Sequence, residues 1–212
     1  MQNFTREEKY FYLRRLHSLS GFIPIGLYFL FHLFANAKIT RGKTAYNQMI
    51  SDIASIPYLP FIEIAVIAIP LLFHIILGIS IYLSSKNNVL QYPNSGNWRF
   101  FFQRLTGLIG LVYIAYHVWQ TRFGGEHVSY ELMEKIVRAP GMFWFYLVGA
   151  ISLTFHFANG LWTFLITWGI TVSPRSQKLS GFLCVGLFVA LSLAWAHILI
   201  TLRYPHLLNF LK

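Results

Sequence analysis

Four histidines stand inside long apolar runs of this chain: His32, His74, His117 and His156. A polar, ionisable ring at bilayer depth is costly unless something binds it. Neutral imidazole is a good axial ligand for haem iron, and two imidazoles close both axial positions. Such an iron carries electrons rather than binding oxygen. One histidine in a membrane helix is most often a hydrogen-bonded packing residue or a proton relay. Four of them, one per consecutive apolar run, favour two haems held by paired rings on facing helices.

The elements that must position these rings are membrane helices. Five spans are expected, about Leu19–Ala37, Tyr58–Leu83, Phe100–Thr121, Gly141–Trp168 and Gly181–Leu202, each about long enough to cross a bilayer. The fold class is therefore all-α, a transmembrane bundle of five helices enclosing two haem b groups, in a single domain over residues 1–212. Lys38–Pro57 is expected as a polar loop, Lys86–Trp98 as a turn-rich connection and Tyr130–Arg138 as a short surface helix. Gly169–Ser180, with Pro174, is a further connection.

Depth pairs the histidines. Spans one and three run in one direction, and spans two and four in the other. His32 and His117 lie late in their spans, toward the side opposite the N-terminus. His74 and His156 lie nearer the N-terminal side. The expected pairs are His32 with His117 and His74 with His156, two haems at two depths. Gly78 and Gly160 follow His74 and His156 by four residues, and Gly110 precedes His117 by seven. Each shares its histidine's helix face, where a flat porphyrin needs room; ordinary small-residue helix packing is the plainer alternative. Pro70 is expected to kink span two.

Composition agrees with a membrane protein. Of 212 residues, 56% are hydrophobic and only 11% charged, a pattern that places the chain in a bilayer. Cys184 is the one cysteine. That excludes a disulfide framework, a CxxCH haem attachment and an iron–sulfur or zinc cluster within the chain, so haem must be held without covalent bonds. The net charge of +10 sits beside apolar spans. Its counterparts are lipid headgroups, acidic partner surfaces and cofactor carboxylates, not nucleic acid.

The polar segment Met1–Arg15 has no evident cleavage site, so the first span is expected to be retained. The N-terminal side carries Arg6, Lys9, Arg14, Arg15, Lys86, Arg99, Arg104, Arg175 and Lys178, nine basic residues. The other side carries Lys38, Arg41, Lys43, Arg122, Lys135, Arg138, Arg203 and Lys212, eight in all. That difference barely favours a cytoplasmic N-terminus.

Several strings then carry a resemblance: Arg14-Arg15-Leu16-His17-Ser18-Leu19, Leu71-Leu72-Phe73-His74, Gln103-Arg104-Leu105-Thr106-Gly107, His117-Val118-Trp119, the stretch around His156, and Trp168-Gly169-Ile170-Thr171-Val172-Ser173-Pro174-Arg175-Ser176-Gln177. From about Arg14 to Leu202 the chain resembles the Bacillus-type succinate dehydrogenase cytochrome b subunit. The resemblance implies a five-helix, di-haem anchor in the bacterial cytoplasmic membrane, with its N-terminus in the cytoplasm. It implies a flavoprotein subunit and an iron–sulfur subunit as partners that oxidise succinate, with electrons passing through two haems b to a quinone, usually menaquinone. The family's axial ligands fall on His32, His74, His117 and His156. The His74/His156 haem would be proximal to the iron–sulfur subunit and the His32/His117 haem distal.

Haem propionates want arginine or hydroxyl partners. On the proximal side the candidates are Arg15, Ser18, Arg104 and Arg175, and His17 is a candidate for a propionate or a quinone oxygen. Distal candidates are Arg41 and Arg122. Snorkelling toward lipid headgroups or contact with a partner subunit explains these arginines equally well. Glu63, an acid within an apolar run, is a candidate proton relay for quinone reduction; an interfacial carboxylate reaching water is its plainer reading. His197 is expected at the interface or against quinone, and His127 and His206 in solvent. Trp119, Trp162 and Trp168 suit cofactor lining or the interfacial belt. The chain has no flavin motif and no cluster ligands, so it cannot oxidise succinate alone. Alternatives are the anchor of a quinol:fumarate reductase, a di-haem anchor for a different dehydrogenase, and a haem-free scaffold or transporter.

Overall fold

The computed structural model describes residues 5–206, and among them it is helical with no strand. Lys212 and the first four residues of the polar N-terminal segment lie outside the described residues. Helix α1 (Arg6–Phe22) starts from a capping box in which Thr5 and Glu8 satisfy each other's backbone N–H groups. It is interrupted at Pro24, which has no N–H to continue the ladder, and resumes as α2 (Ile25–Asn36). A 3₁₀ turn, Ala37–Arg41, closes this rod. The first membrane element is thus longer than the expected Leu19–Ala37 and begins in the charged segment.

The loop expected over Lys38–Pro57 is largely helical. After the 3₁₀ turn it forms α3 (Lys43–Ala54). Helix α4 (Leu59–Ile62) then runs through a π turn, Glu63–Ala68, into α5 (Ile69–Ser84). In the wide turn the Ile69 N–H reaches back to the Ile64 carbonyl. Pro70 follows at once and has no N–H for the carbonyl four residues earlier, so a widened turn is where its ring is accommodated.

Helix α6 (Ser95–Arg122) begins before the expected Phe100 because the Asn94 side chain caps the Asn97 N–H at 3.0 Å. Helix α7 (Tyr130–Arg138) has the expected bounds and is capped by Ser129. It is the expected surface helix: Leu132, Met133, Ile136 and Val137 turn inward and are buried, while Glu131, Lys135 and Arg138 are exposed. Helices α8 (Met142–Thr167) and α9 (Pro174–Arg203) complete the chain. A capping box of Ser173 and Ser176, with Pro174 in the first turn, starts α9 well before Gly181.

Helix α8 is the centre of the bundle, with α6, α9 and α1 packed on it, while α5 lies on α1 and barely meets α6. Buried residues of α2, α3, α7, α8 and α9 form one apolar core at the end of the bundle beyond His32 and His117, with Ile39, Tyr46, Val137 and Leu202 fully enclosed. Elsewhere the outer surfaces are apolar and open, as at Phe34, Leu72, Phe182 and Leu183, the pattern that lipid requires.

Among the described residues four helical runs are long and apolar enough to cross a membrane: Arg6–Arg41, Leu59–Ser84, Met142–Thr167 and Pro174–Arg203. Helix α6 is not among them. It has 28 residues, ample for a ~30 Å hydrocarbon core at ~1.5 Å per residue, but Gln103, Arg104, His117 and Gln120 dilute its apolar character.

Candidate functional site

The structure brings the four histidines together as two pairs. His32 and His117 have ring centres 5.9 Å apart with planes at 73°. His74 and His156 are 6.1 Å apart at 84°. A ring nitrogen's lone pair lies in the ring plane. With metal–nitrogen bonds of ~2.0 Å on either side, two axial imidazoles put their centres about 6 Å apart. The observed spacings fit one metal between each pair.

The hydrogen bonds fix which nitrogen is free. His156 Nδ1 is 2.9 Å from the Gln103 carbonyl, and His74 Nδ1 is 3.1 Å from the His17 carbonyl. A carbonyl only accepts, so each Nδ1 carries the proton and each Nε2 keeps its lone pair. His117 reaches the same state differently. Tyr146 donates its hydroxyl proton to Gln120 Oε1 at 3.0 Å, leaving its oxygen to accept from His117 Nδ1 at 3.3 Å. Ligating histidines are held through the second ring nitrogen in this way. His32 packs against Trp195, ring centres 5.9 Å apart, and its carbonyl accepts from Asn36 Nδ2 at 2.8 Å. A small cavity of about 20 Å³, room for about one water, lies among His32, Tyr113, His117, Tyr146 and Trp195.

Two residues that the sequence did not single out as site candidates, Gln103 and Asn159, join α6 to α8. The Gln103 side chain donates to the His156 carbonyl at 3.0 Å and accepts from Asn159 Nδ2 at 2.8 Å. Their signal in the sequence is an amide side chain inside each apolar run. The glycines four or seven residues from the histidines meet side chains of neighbouring helices. Gly110 faces Leu153, Gly160 faces the Gln103 amide and Gly78 faces His17. The glycines against the imidazoles are Gly21, beside His74, and Gly107, beside His156.

Arg15 lies over the Phe11 and Trp168 rings at 4.9 and 5.2 Å, and its buried Nε has no partner. Arg104 lies over Phe100 at 3.9 Å, with Nε and Nη2 buried and unpartnered. Unsatisfied buried cationic donors suit an anionic group such as a propionate. His17 stacks on His74. Ser18 is half-buried one residue further along α1, and Arg175 is exposed in the first turn of α9. Arg41 is exposed, and Arg122 forms an ion pair with Glu63, so a distal propionate candidate meets the candidate proton relay. His127, His197 and His206 are exposed. Trp162 donates to the Gln177 carbonyl at 2.9 Å, and Trp119 is exposed.

A family model of the succinate dehydrogenase/fumarate reductase transmembrane subunit matches residues 82–195. Over 185 residues the chain is 45% identical to the succinate dehydrogenase cytochrome b558 subunit of Bacillus subtilis (strain 168), covering 86% of this chain and 92% of that protein.

Proposed function

The chain belongs to the family of succinate dehydrogenase/fumarate reductase transmembrane subunits, and from that premise we propose that it is a five-span, di-haem electron conduit to menaquinone. A flavoprotein and an iron–sulfur subunit dock on its cytoplasmic face, where the N-terminus lies, and deliver electrons from succinate. The observation that carries this reading is the pair of facing imidazole couples, in which the Nδ1 atoms of His74, His117 and His156 are engaged and leave Nε2 to the metal.

When bound, haem b supplies one-electron carriage. The protein's residues do the rest. His74 and His156 hold the proximal group, at the level of Gly21 and Gly107. His32 lies eleven residues beyond Gly21, and His117 ten beyond Gly107, about 15 Å further at ~1.5 Å per residue. These two hold the distal group. Arg15 and Arg104 neutralise proximal propionates with the guanidinium atoms that are otherwise unsatisfied. Apolar outer faces keep the bundle in the bilayer and exclude water from both pairs.

Pyridine haemochromogen analysis of the purified complex tests this. Two haem b per chain are expected, falling to about one when any one of the four histidines is replaced by alanine, together with loss of succinate-dependent menaquinone reduction. A wild-type complex without haem overturns the reading.

A further inference from the structure

The sequence carries one short pattern twice, and the structure gives it the same task both times. In α1 it is His17-Ser18-Leu19-Ser20-Gly21, and in α6 it is Gln103-Arg104-Leu105-Thr106-Gly107. The first residue of each offers its backbone carbonyl to an imidazole of the facing helix: His17 to His74 Nδ1 at 3.1 Å, Gln103 to His156 Nδ1 at 2.9 Å. The fourth residue is a hydroxyl that donates back to that same carbonyl, Ser20 at 2.9 Å and Thr106 at 3.3 Å. The fifth is a glycine. A Cβ on Gly21 would stand 2.5 Å from His74 Cε1, and one on Gly107 would stand 2.9 Å from His156 Cε1. Both separations are too short for van der Waals contact, so each ring lies directly on glycine backbone.

We infer that these two segments are imidazole cradles, and that Ser20, Gly21, Thr106 and Gly107 are positioning residues that set the ring plane and the electron donation of the two proximal ligands. This rests on the haem-ligand reading of His74 and His156. The missing Cβ lets the ring approach until its Nδ1–H meets the carbonyl. The hydroxyl shares that carbonyl and so weakens the bond it makes to the ring. The bond to Nδ1–H governs how strongly Nε2 donates to a metal.

The cradles are not equal. Ser20 Oγ also lies 3.3 Å from His74 Nδ1, so the His74 proton has two oxygens within reach. Thr106 makes its shorter bond, 2.6 Å, to the Phe102 carbonyl, turning away from His156. The two ligands of one pair are therefore held by different fields. Nothing comparable surrounds His32 and His117: His117 uses the Tyr146 hydroxyl, and Gly110, two turns before it on α6, faces Leu153.

The experiment uses the full complex, oxidised, with low-temperature electron paramagnetic resonance and potentiometric titration of the haem bands. The variants are Ser20→Ala, Ser20→Thr, Gly21→Ala and Gly107→Ala. Gly186→Ala is the control, because a Cβ there meets nothing within 4 Å. Haem content of the wild-type complex is measured first and decides the underlying reading on its own. With two haems present, Gly21→Ala and Gly107→Ala are expected to move or abolish the low-spin signal of one haem and leave the other in place. Ser20→Ala is expected to shift the midpoint of that same haem, with Ser20→Thr restoring it and Gly186→Ala silent. Should a glycine variant fail to assemble, the serine pair decides. Unchanged signals and midpoints in an assembled Ser20→Ala complex with two haems overturn the inference, as does an equal shift of both haems.

Discussion

His17 lies flat against His74, with ring centres 4.0 Å apart and planes 13° from parallel. This geometry rules His17 out as a partner ligand to His74. Its nitrogens point along the neighbouring ring's face, whereas a shared metal needs two in-plane lone pairs converging from opposite sides. The His17 contact that holds His74 is its main-chain carbonyl, which survives substitution. His17→Phe is therefore expected to keep two haems per chain and a stability within about 1 kcal/mol of wild type. His17→Ala gives up a stack worth about 0.5–1.5 kcal/mol. Haemochromogen content and thermal melts of the purified complex check both.

Tyr146 is a relay between His117 and Gln120, accepting from one and donating to the other. Tyr146→Phe leaves the His117 Nδ1–H without its acceptor, a cost of about 1–3 kcal/mol for a buried donor. Loss of the acceptor behind a ligating imidazole weakens metal binding about 10–100-fold. Faster loss of one haem during extended detergent washing, with the other retained, is the expected result. Equal retention of both haems would contradict the role given to this hydroxyl.

Glu63 pairs with Arg122, tying the π turn of span two to the end of α6. Both side chains are partly open, so the pair contributes about 0.2–1 kcal/mol. Glu63→Gln and Arg122→Gln are expected to destabilise by similar small amounts, and the double variant by no more than either. If Glu63 instead relays protons, Glu63→Gln slows quinone reduction far more than Arg122→Gln does. Comparing the two rates separates these roles.

Outside the membrane, Lys43 on α3 pairs with Glu131 on α7. The hydrogen bond from Lys43 is the main cause holding the Glu131 carboxyl down at about 2, and the Lys43 ammonium is held above its usual range by the same contact. A carboxyl depressed in the folded state stabilises fully above its ordinary value of 4.5 and loses that effect as pH falls from there toward 2. A raised ammonium stabilises below 10.5 and loses its effect above. Lys43→Ala is thus expected to lower the melting temperature between these limits and to converge with wild type as pH falls below 4.5. Melts at pH 3, 5 and 7 check this.

The sequence alone determined that this is a helical membrane protein, because the spacing of its apolar runs admits little else, and it singled out His32, His74, His117 and His156, because imidazole is conspicuous among leucine and phenylalanine. It also bounded Tyr130–Arg138 from its apolar spacing. It missed the early starts of α6 and α9, since Asn94 and Ser173 read as loop residues until their side chains are seen capping N–H groups. Only the tertiary structure decided which backbone faces each ring. Same-helix spacing pointed to Gly78, Gly110 and Gly160, but a side chain projecting from one helix lands on its neighbour. Gly21 and Gly107 could be identified only once α1 was placed against α5 and α6 against α8. In lipid those placements are set by close packing and hydrogen bonds between helices rather than by hydrophobic burial, and no periodicity within a single helix records them.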